Sequence, residues 1–222
     1  MNFKKAMNDS QDPSGYIAPE MMKAFLSEMQ VYRAALKEVK TKLENLDDNF
    51  HVHYDYNPIH HIDTRLKSPL SIVNKLHKKE KDVTLDNMRD FINDIAGVRV
   101  ICCYIKDIFT IAELIKSQDD IQVITEKNYI ANPKPNGYRS FHLVVDVPVY
   151  LSKAKLYVTV EVQISTTAMD FWASLDHNIH YKATSEVPPF VVDELKKCAD
   201  IITETDYRMQ QIAEAVHLLR ED

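Results

Sequence analysis

Apolar residues at Met22, Phe25, Met29, Tyr32, Leu36, Val39, Leu43, Leu46 and Phe50 recur at alternating spacings of three and four. That rhythm puts them on one stripe of a helix that opens at Pro19 and lasts about four heptad repeats. The pair Asp47-Asp48 offers a slightly earlier end. A second stripe begins at Pro188-Pro189 and runs through Val192, Leu195, Ala199, Ile202, Met209, Ala213 and Val216. Leu219 can add one more contact, and Asp206 breaks one position. The two stripes suit packing on each other, on the rest of the domain, or across a subunit boundary. Covering a core within one chain is the commonest use of such a stripe. A polar residue on the seam is also how helical interfaces fix register.

Between these helices the period changes. Ile62 to Lys67 reads as a short strand or turn. Ser68-Pro69 reads as an N-cap followed by proline at the first helical position, with Leu70, Val73, Asn74 and Leu76 leading to Lys78-Lys79-Glu80-Lys81. Thr84 caps a helix through Phe91. Val98 to Ile105 is a continuous apolar run, which predicts a buried strand. A helix over Ile108 to Lys116 and a strand over Ile121 to Ile124 follow. Phe141 to Val147 and Tyr157 to Ile164 complete the strands. In the last, Val158, Val160, Val162 and Ile164 face one way while Thr159, Glu161 and Gln163 face the other. Ser165 or Thr166 caps a helix to about Lys182.

The pattern therefore predicts an α+β fold (mixed α/β), about five strands with helices packed on them and long helices at both ends. Residues 1–18 read as a disordered lead-in and 19–222 as a single domain. Within it, 19–50 form the N-terminal helix, 57–182 the catalytic core and 188–221 the C-terminal helix.

Composition narrows the classes. The chain has 222 residues, 45% hydrophobic and 27% charged, enough for one sizeable core. A net charge of -6 leaves no global basic field for nucleic acid, so any polyanion site must be a local basic cluster. Three glycines are few for an all-β architecture with many special turns. No apolar run approaches the roughly 20 residues of a membrane span. Met1 to Gly15 lacks the apolar stretch of a secretory signal. Cys102, Cys103 and Cys198 have no metal-like spacing, and Cys102 and Cys103 read as small core residues of a reducing cytoplasm.

The segment from Asn132 to His142 carries the densest chemistry. Pro133, Pro135 and Gly137 force a tight loop that delivers Tyr138 at the mouth of a strand. A ring beside Lys134, Arg139 and His142 is what stacking a base and neutralising its phosphates requires. A half-buried tyrosine in a hairpin loop is the plainer alternative. Glu161 and Gln163 share the polar face of a strand, and Asp94 stands at the entrance to the buried strand that carries Arg99. Two carboxylates near one sheet edge are the minimum for holding Mg²⁺ over a polyphosphate. Arg65 and Lys67 point to one face of an extended segment, and Lys75 follows on the next helix. Lys78, Lys79 and Lys81 suit a solvated helix end. His60-His61-Ile62-Asp63 invites a metal reading, but adjacent histidines in an extended chain point to opposite sides.

In order and spacing the chain resembles the small alarmone synthetases, single-domain relatives of the RelA/SpoT synthetase module, and is most similar to their RelP-like branch, with RelQ next. The resemblance rests on Asn57 to His61, Arg65-Leu66-Lys67, Asp94 to Arg99, Lys134 to His142, Glu161-Val162-Gln163-Ile164 and Met169 to His177. It implies a mixed sheet with nucleotidyltransferase-like features. It implies transfer of the β,γ-pyrophosphate of ATP to the ribose 3′-hydroxyl of GDP or GTP, with release of AMP. It further implies Arg65, Lys67, Lys75 and Arg99 on ATP, and Asp94 and Glu161 as catalytic carboxylates that hold Mg²⁺. Tyr138, Lys134, Asn136, His142 and Gln163 would hold the acceptor. A homotetramer, synthesis without hydrolysis, and regulation by alarmone or RNA are further expectations. A toxin-type relative that uses an adenine nucleotide or the 3′ end of tRNA, and a non-catalytic nucleotide- or RNA-binding regulator, are the alternatives. One departure stands out: Ser165 occupies the place where the family usually has Arg, before Thr166.

Overall fold

The computed structural model describes residues 19–182 and 188–221, so the expected lead-in over residues 1–18 lies outside the described residues. Helix α1 (Pro19–His53) is followed by β1 (Ile59–Leu66), α2 (Pro69–Lys78), α3 (Leu85–Phe91) and β2 (Ala96–Cys102). Then come α4 (Ile105–Lys116), β3 (Gln122–Asn128), β4 (Phe141–Tyr150), β5 (Lys155–Thr166), α5 (Thr167–Lys182) and α6 (Pro189–Glu221). The strands form one sheet in the order β1-β2-β5-β4-β3. The β2–β5 pair is parallel and the others antiparallel, so the sheet is mixed.

The heptad stripe of α1 is spent inside the chain. Met29, Tyr32, Leu36, Val39 and Leu43 are buried and belong to one apolar cluster with the sheet and α4. Val158, Val160, Val162 and Ile164 lie in that cluster, while Glu161 and Gln163 stay half-buried on the opposite face. One face of the sheet is thus core, and the other is free to carry polar groups. Among the described residues, no helix is long and apolar enough to cross a membrane.

Several local expectations hold. The Ser68 side chain accepts from Ser71 N with Pro69 opening α2, and Thr84 accepts from Asn87 N at α3. The helix after β5 is capped by Thr166, whose Oγ1 accepts from Met169 N at 3.1 Å. Other boundaries move. The strand β2 ends at Cys102, and α4 starts at Ile105 rather than Ile108. The cause is Asp107, 3% exposed, which accepts the Tyr104 N–H at 2.9 Å and so closes the first turn. An apolar run that passes from strand to helix carries no period to show this break. Cys103 consequently lies beyond the strand and is only half-buried, unlike Cys102. The segment before α2 is a full strand, β1, held by its pairing with β2 despite an irregularity between Ile59 and His61. The edge strand β3 runs on to Asn128 through polar residues, paired among the described residues only with β4.

The C-terminal helix α6 packs on α5 and α4 rather than on the sheet. Its polar break has a partner: Asp206, 8% exposed, accepts from Thr166 Oγ1 at 2.6 Å. Trp172 Nε1 donates to Leu195 O at 2.9 Å, a second tie between α5 and α6.

Candidate active site

Pairing register builds the site across three strands. Arg65 on β1 opposes Gly97 on β2, and Gly97 opposes Glu161 on β5. Directly opposed residues project to the same face, so Arg65 and Glu161 flank a position that has no side chain. The neighbouring row is Asp63, Arg99, Gln163 and His142, across β1, β2, β5 and β4. A cavity of 90 Å³ opens over the first row, with Lys67, Asp94 and Glu161 among its walls. A larger one of 530 Å³ adjoins it, with Lys134, Asn136, Tyr138, His142 and Ser165 among its walls. Arg65, Arg99 and Gln163 line both, so the site has two chambers that meet at a cationic partition.

The small chamber is a charge-balanced knot. Asp94, in the turn before β2, accepts from Lys67 Nζ at 2.7 Å and from Lys75 Nζ at 2.8 Å. Burial acts to raise the Asp94 carboxyl, but the two ammonium hydrogen bonds outweigh it and hold it below its usual range. Lys67 is fixed in turn by its backbone, which donates to Ile95 O at 2.8 Å. Glu161 accepts from Gln163 Nε2 at 2.8 Å and lies 3.5 Å from His142 Nδ1. Here too burial works to raise the carboxyl, and His142 and Gln163 reverse it, so Glu161 stays ionised. Arg99 Nη1 meets Asp170 Oδ1 of α5 at 3.1 Å.

The large chamber is framed by the loop between β3 and β4. Gly137 N donates to Lys134 O at 2.8 Å, and Lys134 N to Tyr138 O at 3.1 Å. Gly137 has φ +91°, a backbone state that side chains rarely tolerate, and a Cβ there would lie 2.6 Å from the Ala199 Cβ of α6. The loop is therefore pressed against the C-terminal helix. Tyr138 OH and His142 Nε2 are 2.9 Å apart, which links the ring to Glu161 through one imidazole. The Lys134 ammonium lies 4.4 Å from the Tyr138 ring centroid and 4.8 Å from that of Tyr129. Burial lowers the Lys134 pKa and raises that of Tyr138, so the phenol stays neutral.

Most residues singled out from the sequence converge here. Glu161, Asp94, Arg65, Lys67 and Arg99 line the small chamber, and Tyr138, Lys134, Asn136, His142 and Gln163 line the large one. Lys75 lines neither and reaches the site through Asp94. Arg139 also lines the large chamber, where Nη1 donates to Ile130 O at 2.8 Å and Nη2 lies 4.0 Å from Asp200 of α6. His60 and His61 are exposed on β1, and among the described residues no group of three or more His, Cys, Asp or Glu is placed to hold a metal. Sequence reasoning missed Tyr129 and gave no role to Asp170 or Asp176, although both lie in the Met169 to His177 stretch that carries the resemblance. Tyr129 follows a polar edge strand with no pattern of its own, and its ring meets His142 edge-on at 5.1 Å. The two aspartates lie on the helix after β5, where only the fold reveals which turns face the chamber.

The region found in RelA / SpoT proteins matches residues 64–186. GTP pyrophosphokinase YwaC of Bacillus subtilis (strain 168) is 43% identical over 88% of this chain and 93% of its own length. The crystal structure of small alarmone synthetase 2 from B. subtilis superposes with a TM-score of 0.78 at 42% identity, covering 86% of this chain and 98% of that one. Small alarmone synthetase 1 from the same organism, bound to its product pppGpp, gives 0.81 at 32% identity over 89% and 98%. The chain belongs to the RelA/SpoT family, among its small alarmone synthetases.

Proposed function

We propose that this protein is a GTP pyrophosphokinase that moves the β,γ-pyrophosphate of ATP to the ribose 3′-hydroxyl of GDP or GTP. The observation that carries this reading is Glu161: an ionised carboxylate in mid-sheet, in the small charged chamber and hydrogen-bonded to Gln163, which also lines the chamber with the stacking ring. The phosphates of ATP are assigned to the mouth of the small chamber and the partition, where Arg65, Lys67 and Arg99 offset the triphosphate charge and Lys75 supports Asp94. The acceptor fits the large chamber. Its base takes the Tyr138 ring from the Lys134 ammonium, with Asn136, His142 and Gln163 as further contacts.

Seated between the chambers, the 3′-hydroxyl donates a hydrogen bond to Glu161. As the O3′–Pβ bond forms and the bond from Pβ to the α,β-bridging oxygen breaks, the proton passes to Glu161 and AMP leaves with the bridging oxygen. A carboxylate with a depressed pKa is a weak base, so this transfer is late, when the attacking oxygen has become acidic. His142 and Gln163 hold the carboxylate for that moment.

Asp94 and Glu161 suit Mg²⁺, a hard cation that usually takes one or two protein carboxylates and completes its shell with phosphate oxygens and water. Lys67 and Lys75 would then hand Asp94 over and turn to phosphate. When bound, Mg²⁺ supplies neutralisation and alignment of the polyphosphate.

The reaction belongs to the cytoplasm, in keeping with three free cysteines and ATP as donor. A homotetramer fits the apolar residues left exposed on α5 and α6, among them Phe171, Leu175, Ile201 and Ile212.

The test is AMP release by the purified protein with Mg²⁺ and ATP, alone and with GMP, GDP, GTP, ADP or tRNA. AMP that rises only with a guanine nucleotide supports the reading. AMP that rises with ADP or tRNA moves the protein to the toxin-type class, and none with any acceptor makes it a nucleotide-binding regulator.

A further inference from the structure

Far from the two chambers, the first turns of α1 leave an apolar surface open. Met29 and Tyr32 are buried against the core, but Met22 and Leu26 are 39% and 59% exposed. Both line a groove of 210 Å³ between α1, α2 and α3, walled by Ile72 and Leu76 on one side and Leu85 and Met88 on the other. Among the described residues Thr84 is its one polar lining group, and the Thr84 hydroxyl is spent capping α3. A groove without polar groups to satisfy takes apolar atoms only. Phe25, in the same wall, already makes a further contact through its ring.

The chain that enters α1 arrives at the Met22 end of this groove. Pro19 opens the helix, which makes Ala18 its N-cap and Ile17 the residue before the cap. A residue before proline is pushed toward extended backbone, so the path leaves the helix axis at Ala18. An apolar residue in the position of Ile17 packs, as a rule, on the fourth residue of its helix, which here is Met22. Tyr16 follows it outward and offers a ring for the wall that holds Phe25. A tethered segment this short acts at an effective concentration on the order of millimolar, well ahead of a second molecule.

We propose that Ile17 and Tyr16, which lie outside the described residues, seat in this groove and strap α1 to α2 and α3. The consequence reaches the site through α2. That helix lines the groove with Ile72 and Leu76 and carries Lys75, whose ammonium holds Asp94 at 2.8 Å. The strap steadies α2 and with it one of the two cations on Asp94. This consequence alone rests on the pyrophosphokinase reading; the docking does not.

The experiment is amide hydrogen exchange read by mass spectrometry on the full chain, as wild type, Ile17→Asp and Ile17→Leu, at two protein concentrations. Ile17→Asp puts a charge where the groove has no partner for it. Exchange in α2 and α3 should then quicken by about tenfold or more, the protection that one buried aliphatic side chain gives, while β2 and β5 stay protected. Ile17→Leu should behave as the wild type. Unchanged exchange in α2 and α3 of Ile17→Asp overturns the docking. So does protection of the groove that depends on protein concentration and not on residue 17, which would make a second copy the occupant. KM values test the consequence: Ile17→Asp should raise KM for ATP several-fold and leave KM for GDP in place, with Ile17→Leu normal. Quickened exchange with an unchanged KM for ATP overturns the link to Lys75. A wild type that releases no AMP with GDP overturns the reaction, while the exchange result still decides the docking.

Discussion

Glu161 is half-buried in a strand whose alternate residues are core, and burial alone would drive its carboxyl toward neutrality. His142 and Gln163 prevent that, so the charge is maintained for a purpose. Replacing it by Gln keeps shape and removes the charge. Glu161→Gln should lower kcat by about 10²-fold or more while nucleotide dissociation constants move little, and single-turnover kinetics with calorimetry will separate the two effects. The pH dependence follows from the directions of shift. Asp94 and Glu161 both titrate below their ordinary values, 3.8 and 4.5. Each therefore stays ionised above that range, and the acid limb of kcat/KM lies below it. Lys134 titrates below 10.5, so the alkaline limb sets in earlier than for a free lysine. A profile already falling at pH 6 through these carboxylates would contradict the site. At this scale the sequence was informative where a side chain's role follows from strand alternation, as for Glu161 and Gln163. It was silent on the partners of Asp94, because Lys67 and Lys75 meet it only after a strand and a helix have folded back. Ser165, 5% exposed in the large chamber, makes the family's missing Arg a question of free space as well as charge. Ser165→Arg has only the chamber to enter, and should shift acceptor preference in the same nucleotide panel.

Loops and helix ends decide how the site is held. The Tyr138 loop is locked from within by Gly137 and from outside by α6. Gly137→Ala adds a strained φ and a contact that one of two backbones must relieve. It should cost about 1–3 kcal/mol and raise KM for the guanine nucleotide more than for ATP; thermal melting and paired KM values check this. Asp206 tests the other end of α6. Burial raises its pKa against the opposing Thr166 hydrogen bond. A raised folded pKa favours the folded state when the group is protonated, and that contribution disappears as pH rises through it. Asp206→Asn keeps an acceptor for Thr166 without the charge. It should be neutral or stabilising at pH 7, with the advantage gone in the acid range where wild-type Asp206 is itself protonated. Denaturant melts at both pH values decide it. The C-terminal stripe was legible as a helix with one polar break. That the break accepts from Thr166, the cap of α5, and that Ala199 seats a glycine of the acceptor loop, depends on contacts between distant segments that no periodicity encodes.

At the scale of the whole molecule the division of labour is simple. One face of the sheet is core against α1 and α4, and the other faces the two chambers, with α5 alongside. The chain is acidic overall, yet Arg65, Lys67, Lys75 and Arg99 gather at one place, which suits a small polyanion better than an extended nucleic acid. The outer surfaces of α5 and α6 leave apolar side chains uncovered. Light scattering at micromolar concentration should report a tetramer, and a monomer there would contradict the proposed assembly. The order of elements and the mixed character of the sheet were readable from pattern and resemblance together. The meeting of the chambers was not, because it depends on the β2–β5 parallel register that sets Gly97 beside Glu161. The most direct test of the central claim compares GDP with its 3′-deoxy analogue, with ATP and Mg²⁺, by quantifying AMP and the guanine product on ion exchange. The account predicts AMP in equal amount to a more highly charged guanine nucleotide from GDP, and none from the 3′-deoxy compound. Equal AMP from both, or none from GDP, would contradict it.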